Sequence, residues 1–193
     1  MAGAMTVLAY GGISYGAGYE AAGEMDNLKY AIKWGTDYLL KAHVSSTEFY
    51  CQVGNGVIDH EYPGRPETMT VARPAYSLTP SKPGSDCVGE SAAALASAAV
   101  LLADSDPTYS ATLVEHAEQL FEFANANKGL YSSSISDAGQ FYRCGFNREE
   151  LSFNPHFRSE SYEDELIWAA AWLYKATSDS KYLVQAEDLY SKR

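Results

Sequence analysis

The segment GESAAALASAAVLLA, Gly89 to Ala103, carries one charge, Glu90, and nothing bulkier than leucine. A helix that is small or apolar on every side has to be packed on every side. It is too short, and too rich in Ser and Ala, for a membrane span. The rest of the chain must therefore supply helices to surround it. Residues 24 to 43 place Leu28, Ile32, Leu39 and Ala42 on one stripe, with Lys29, Lys33 and Asp37 away from it. Asp106 caps a helix that has Pro107 at its first position and Leu113, Ala117, Leu120, Phe121 and Ala124 as its stripe; Gly129 ends that region. A further helix runs from about Tyr162 through Thr177 with Leu166, Ile167, Ala170, Leu173 and Tyr174 inward, and Ser178 or Asp179 opens a last one through Tyr190. No strand pattern is evident. The chain reads as one all-α domain of helical hairpins whose long loops gather on one face as a site.

The longest of those loops, QVGNGVIDHEYPGRPETMTVARPAY from Gln52 to Tyr76, has neither helical nor strand periodicity. Loops of this length are functional or disordered, and its aromatics and balanced charges argue against disorder. A net charge of −11 and a pI near 4.7 exclude nucleic acid and anionic membrane as partners, because phosphates would be repelled. A neutral ligand fits better, and fifteen Tyr offer flat rings with a polar handle that suit sugar faces. Cys51, Cys87 and Cys144 lie outside any C-x-x-C pattern, so neither a zinc knuckle nor a disulfide framework is indicated, and at most one pair can form. Residues 1 to 13, MAGAMTVLAYGGI, are apolar but lack a basic leader and are too short to span a bilayer. GGISYG lacks the G-x-S-x-G spacing of a nucleophile elbow, and no Lys-Ser or Lys-Thr follows Gly11 to Gly18 to make a phosphate loop.

One ordered set of motifs runs through nearly the whole chain. It comprises KWGTDYLLKAH (Lys33 to His43), QVGNG followed by Asp59 and His60, GRPE (Gly64 to Glu67) and Arg73 in ARPAY. It continues through PGSD (Pro83 to Asp86), ESAAALASAA (Glu90 to Ala99), Phe141 and Tyr142, and YEDELIWAAAWLYKAT (Tyr162 to Thr177). In this order the motifs resemble the glycoside hydrolase family 9 cellulases, endo-β-1,4-glucanases built on an (α/α)6 barrel. The resemblance implies a secreted, monomeric enzyme acting on cellulose or soluble β-1,4-glucan by inversion, with no required cofactor. Inversion needs one carboxyl to protonate the leaving oxygen and a second to activate water across the ring. The family's base lies in an Asp-Ala-Gly-Asp motif shortly before a segment whose Met-Ala matches Met1 and Ala2, and its acid is a Glu near the domain's end. Neither catalytic carboxylate then falls between Met1 and Arg193. Residues 1–193 correspond to a central piece of that domain, with about half of the barrel's helices. Half a ring leaves inner-helix faces such as Ala92 to Leu102 open to water.

By the same resemblance His60 donates to sugar hydroxyls in the cleft, the alternative being a histidine bonded within the loop. Asp59 and Arg65 belong to the same wall, as braces more than as ligands. Pro63 stands where the family usually has Trp, so a stacking platform is absent. Tyr142 resembles a tyrosine beside the catalytic water. Asp164 and Glu165 match ligands of a calcium site, and adjacent hard oxygens suit calcium. Those acids equally suit the first turn of a helix capped by Ser161. Between Tyr142 and Asp164 the chain is fifteen residues longer than the family, and lifting out Cys144 to Arg158 restores the register. That segment is either a surface loop or the product of a misjoined exon. A vestigial β-glucan-binding protein without the acid and base is the rival to the enzyme.

Overall fold

In the computed structural model the described residues are 1–135 and 161–192. Their order is α1 (Ala2–Ser14), α2 (Gly16–Ala22), α3 (Met25–Ala42), β1 (His43–Ser45), β2 (Glu48–Val53), α4 (Gly56–Glu61), a 3-10 turn (Pro66–Thr68) and β3 (Ala75–Leu78). Then follow α5 (Ser85–Leu102), α6 (Pro107–Ala126), the single turn α7 (Tyr131–Ser134), α8 (Glu163–Thr177) and α9 (Ser180–Ser191).

The stripes bury as their spacing requires. Leu28, Ile32, Leu39 and Ala42 of α3 are buried, as are Leu113, Ala117, Leu120, Phe121 and Ala124 of α6. Each fully buried Leu or Phe stabilises the fold by about 1.5–3 kcal/mol. The caps follow the same logic: the Asp106 carboxylate accepts from the Tyr109 amide at 3.1 Å, and Asp179 accepts from the Lys181 amide at 2.9 Å. Ser178 is in the left-handed conformation with φ 59° and closes α8, so Asp179 opens α9.

The helix that is apolar all round, α5, sits at the centre. It packs between α1 and α8 and against α6; α3 packs on α1 and α5, and α9 on α8. By length and composition α5 could cross a bilayer, but 78% of it is buried inside the fold. The expectation that Ala92 to Leu102 would be open to water is therefore corrected. Ala92 to Ala99 and Leu102 are buried, because α1, α6 and α8 already enclose α5. The exposed apolar side chains lie elsewhere, on Val7 and Tyr10 of α1, Tyr30 and Trp34 of α3, and Val184 and Tyr190 of α9. Tyr174, expected inward, is exposed, and Trp172 of the same helix is buried instead.

The expectation of no strands is also corrected. β1, β2 and β3 form a small antiparallel sheet in the order β1-β2-β3. Phe49 pairs with Leu78 and Tyr50 with Ser77; the register then shifts, and Gln52 pairs with Tyr76 and Val53 with Ala75. Cys51 is the extra residue at that shift, and it is disulfide-bonded to Cys87 of α5. The sheet is thus pinned to the central helix at its bulge, and the loop between β2 and β3 hangs from it.

Candidate functional site: a cleft wall and an acidic cavity

The N-terminus of α5 organises the first part of the site. Asp86 is fully buried, and its Oδ1 accepts from the Cys87 amide at 3.0 Å and from the Tyr131 amide at 2.9 Å. The Ser85 hydroxyl donates to the Ala124 carbonyl at 2.8 Å, and the Ser85 amide donates to the Gly129 carbonyl at 2.7 Å. The PGSD motif is therefore a knot that ties the end of α6 and the turn after it onto the head of α5. Held this way, the buried Tyr131 phenol donates to Gln52 Oε1 at 2.7 Å, and Gln52 Nε2 donates to the Gly54 carbonyl at 2.8 Å. Burial, then the neighbouring Tyr76 and Asp86, push the Tyr131 phenol far above its ordinary range, so it stays a donor. These groups border a cavity of about 350 Å³ whose other walls are Gly3 of α1, Glu90 and the Cys51–Cys87 bridge.

The 52–76 loop is braced from within. Gly54 has φ +92°, and the Arg73 guanidinium lies 2.5 Å from where a Cβ would stand, so only glycine fits. Arg73 reaches across to bond Asp59 and donates to the Val53 carbonyl at 3.2 Å. Asn55 caps α4 by accepting from the amides of Val57 at 2.9 Å and Ile58 at 3.2 Å. His60 lies in α4, one residue beyond Asp59. Arg65 caps the 3-10 turn, where its carbonyl accepts from the Thr68 amide at 3.0 Å. Asp59 thus contacts the rest of the loop through its side chain, and Arg65 through its main-chain carbonyl. Pro63 is exposed. Tyr142 and the Cys144 to Arg158 segment lie outside the described residues.

A second cavity, of about 280 Å³, is lined by Glu90, Asp164, Glu165 and Trp168. Beside it, a Cβ on Gly89 would meet the Glu165 backbone at 3.3 Å, so the missing side chain lets the head of α8 come close to α5. Glu90 accepts from the Thr6 hydroxyl at 2.9 Å, tying α1 to the same place, and it alone lines both cavities. Burial, then the Asp164 charge, push the Glu165 carboxyl up to about 8, while burial also raises Glu90 against the lowering pull of Thr6. Glu165 Oε2 is buried without a hydrogen-bond partner. The expectation of Ser161 as the cap of α8 is corrected: the N-cap is Tyr162, with no side-chain cap bond, and the Ser161 hydroxyl instead donates to Asp164 Oδ1 at 2.7 Å. Among the described residues no group of three or more His, Cys, Asp or Glu is arranged to hold a metal ion.

Glu90, Thr6, Asp86, Gln52 and Tyr131 were not singled out as site residues from sequence. The one available signal was the lone charge of Glu90 in an otherwise small and apolar helix.

Three comparisons bear on this arrangement. The family profile of Glycosyl hydrolase family 9 matches residues 1–193. Endoglucanase B of Cellulomonas fimi is 44% identical over 192 residues, which is 100% of this chain and 17% of that protein. The endoglucanase of the termite Nasutitermes takasagoensis, solved at pH 2.5, superposes with a TM-score of 0.89 at 52% identity, over 100% of this chain and 41% of that one. The cellulase Cel9M of C. cellulolyticum in complex with cellobiose superposes with a TM-score of 0.79 at 32% identity, over 97% of this chain and 39% of that one. The chain spans well under half the length of each of these relatives. It has the helical architecture of their (α/α)6 barrel with about half of the helices, and it belongs to glycosyl hydrolase family 9.

Proposed function

We propose that this chain forms one wall of the glucan cleft of a secreted endo-β-1,4-glucanase that hydrolyses internal bonds of cellulose with inversion. The observation that carries the reading is the 350 Å³ cavity, bordered by the first turn of α1, the Gln52–Tyr131 pair and the head of α5, in a chain of this family. Cellobiose in the related Cel9M supports β-glucan as the ligand. In this reading the braced loop presents His60, whose imidazole has one donor and one acceptor for sugar hydroxyls. Asp59 and Arg65 hold that loop, and Tyr142 is assigned by resemblance to the tyrosine beside the catalytic water. The acid and base, which an inverting enzyme holds roughly 6.5–9.5 Å apart, are assigned by resemblance to positions before Met1 and after Arg193. Residues 1–193 are the middle of one catalytic domain, monomeric when whole, with Cys144 to Arg158 as an insertion.

Asp164 and Glu165 are assigned to a structural calcium ion. Their chemistry fits: two adjacent hard carboxylates, one with a buried oxygen that lacks a partner. At neutral pH a carboxyl held near 8 keeps its proton in part, and a divalent cation would displace it. Two carboxylates do not make a cage, so the assignment requires further oxygen ligands.

Carboxymethyl cellulose decides the reading. The domain completed on both sides should release reducing ends, with the α-anomer formed first, whereas the 193-residue chain should release none, because it holds neither proton-transfer group. A first-formed β-anomer would overturn inversion. Release by the chain itself would overturn the assignment of acid and base, and no release by the completed domain would favour a vestigial β-glucan-binding protein.

A further inference from the structure

The cleft reading leaves one cluster of titratable groups unused. His43, at the junction of α3 and β1, is only 6% exposed, and its Nδ1 lies 2.8 Å from Nδ1 of His116 on α6. The rings meet edge to face, with centroids 4.8 Å apart. The residues are 73 positions apart, and this single bond joins the last turn of α3, the first residue of the sheet and the middle of α6.

The chemistry of such a bond depends on proton count. A neutral imidazole has one donor and one acceptor nitrogen, so one Nδ1 carries the hydrogen and the other receives it. One added proton leaves the bond intact, since the charged ring donates to the neutral one. A second makes both Nδ1 atoms donors, and two N–H groups then face each other with two positive charges behind them. The bond cannot survive that state.

We propose that the His43–His116 pair is an acid-labile latch that fastens the β1-β2-β3 sheet, and with it the 52–76 loop, to α6. The latch is closed with zero or one added proton and opens with the second. His43 pairs directly with Phe49 of β2, and β2 runs on to Cys51, Gln52 and the loop, so its release slackens the β1 edge of the sheet, next to the strand that the disulfide holds.

The charged groups on the elements around the pair are Asp26, Lys29, Lys33, Asp37 and Lys41 of α3, Glu48 of β2, and Glu115, Glu118 and Glu122 of α6; Asp37 accepts from the Tyr109 hydroxyl at 2.7 Å and Glu118 from the Tyr182 hydroxyl at 2.7 Å. Lys41 and Glu115 are exposed and Glu48 is half-buried; none of them bonds to either ring. His43 Nε2 is buried without a hydrogen-bond partner, so a charge on that ring is poorly solvated. Burial first, and then His116, lower the His43 pKa below its ordinary 6.5, against a raising pull from the Ser45 backbone. The sign follows: the folded state prefers the neutral ring, so the stabilisation is complete above 6.5 and is lost as pH falls through the lower folded value.

Limited proteolysis of the chain between pH 7.5 and 4.5 tests the latch, with circular dichroism to follow the helices and ¹⁵N NMR to follow the four ring nitrogens. Cleavage within residues 43–78 should appear only below pH 6.5 while the helical signal persists, and the pair should take up its protons in two separated steps. His116→Gln, whose amide oxygen accepts from His43 whether or not that ring is charged, has no second ring to protonate, so the acid-induced cleavage should be lost. Equal cleavage profiles in the two proteins would overturn the proposal. So would two rings that titrate together near 6.5 while the sheet stays protected. Should His116→Gln fail to fold, the nitrogen titration of the unaltered chain still decides.

Discussion

Gly54 shows how much of the loop rests on one residue. Its left-handed φ of +92° and the guanidinium stacked over it both exclude a side chain. Gly54→Ala should therefore cost about 1–3 kcal/mol, the scale of a non-glycine residue forced into such a conformation. Urea unfolding of the chain and the variant measures it; a change within about 0.5 kcal/mol, as at an ordinary surface site, would mean that the brace is dispensable. The acidic cavity gives a second test at this scale. If calcium is held there, it should raise the melting temperature of the chain, and Asp164→Asn with Glu165→Gln should abolish that rise, since a ligand bound only by the native state stabilises it. No rise in either protein would leave the carboxylates as the first turn of α8. Local rules were the most legible: the cap Asp106 follows from residue chemistry alone, whereas Ser178 and Asp179 stayed alternatives until the left-handed Ser178 left the cap to Asp179. Tyr174 misled because a tyrosine on the edge of a stripe can present its ring to either side, and only the packing of Trp172 decides between them.

At the scale of elements, the long helices were plain in the sequence and the sheet was not. β2, EFYCQV, buries only Phe49, so it shows no alternation between a dry and a wet face. Its bulge at Cys51 breaks any period that remained. The pairing of Cys51 with Cys87 was open for the same reason, because spacing alone does not choose between three cysteines. The bridge closes a span of 36 residues and should contribute about 2–4 kcal/mol. Melting the chain with and without reductant, beside Cys51→Ser with Cys87→Ser, measures this contribution. Reductant should lower the midpoint of the parent and leave the double variant unmoved. An unchanged parent would show that the bulge is held without its covalent pin.

At the scale of the molecule, the all-round apolar character of α5 correctly placed it at the centre, because no other position satisfies such a helix. The site was legible only in outline. The loop and the acidic pair could be picked out from motifs, but the joining of Gln52 to Tyr131 across 79 positions, and of Glu90 to Thr6 across 84, is a product of tertiary packing that no local pattern encodes. The central claim is that this packing builds a glucan-binding wall. Titrating the ¹⁵N-labelled chain with cellotetraose and following its amide and side-chain signals tests it most directly. The account predicts saturable shifts at Gly3, Gln52 and Tyr131 around the larger cavity, with the outer faces of α3 and α9 silent. Shifts confined to the exposed aromatics Tyr30, Trp34 and Tyr190, or none at millimolar sugar, would contradict it.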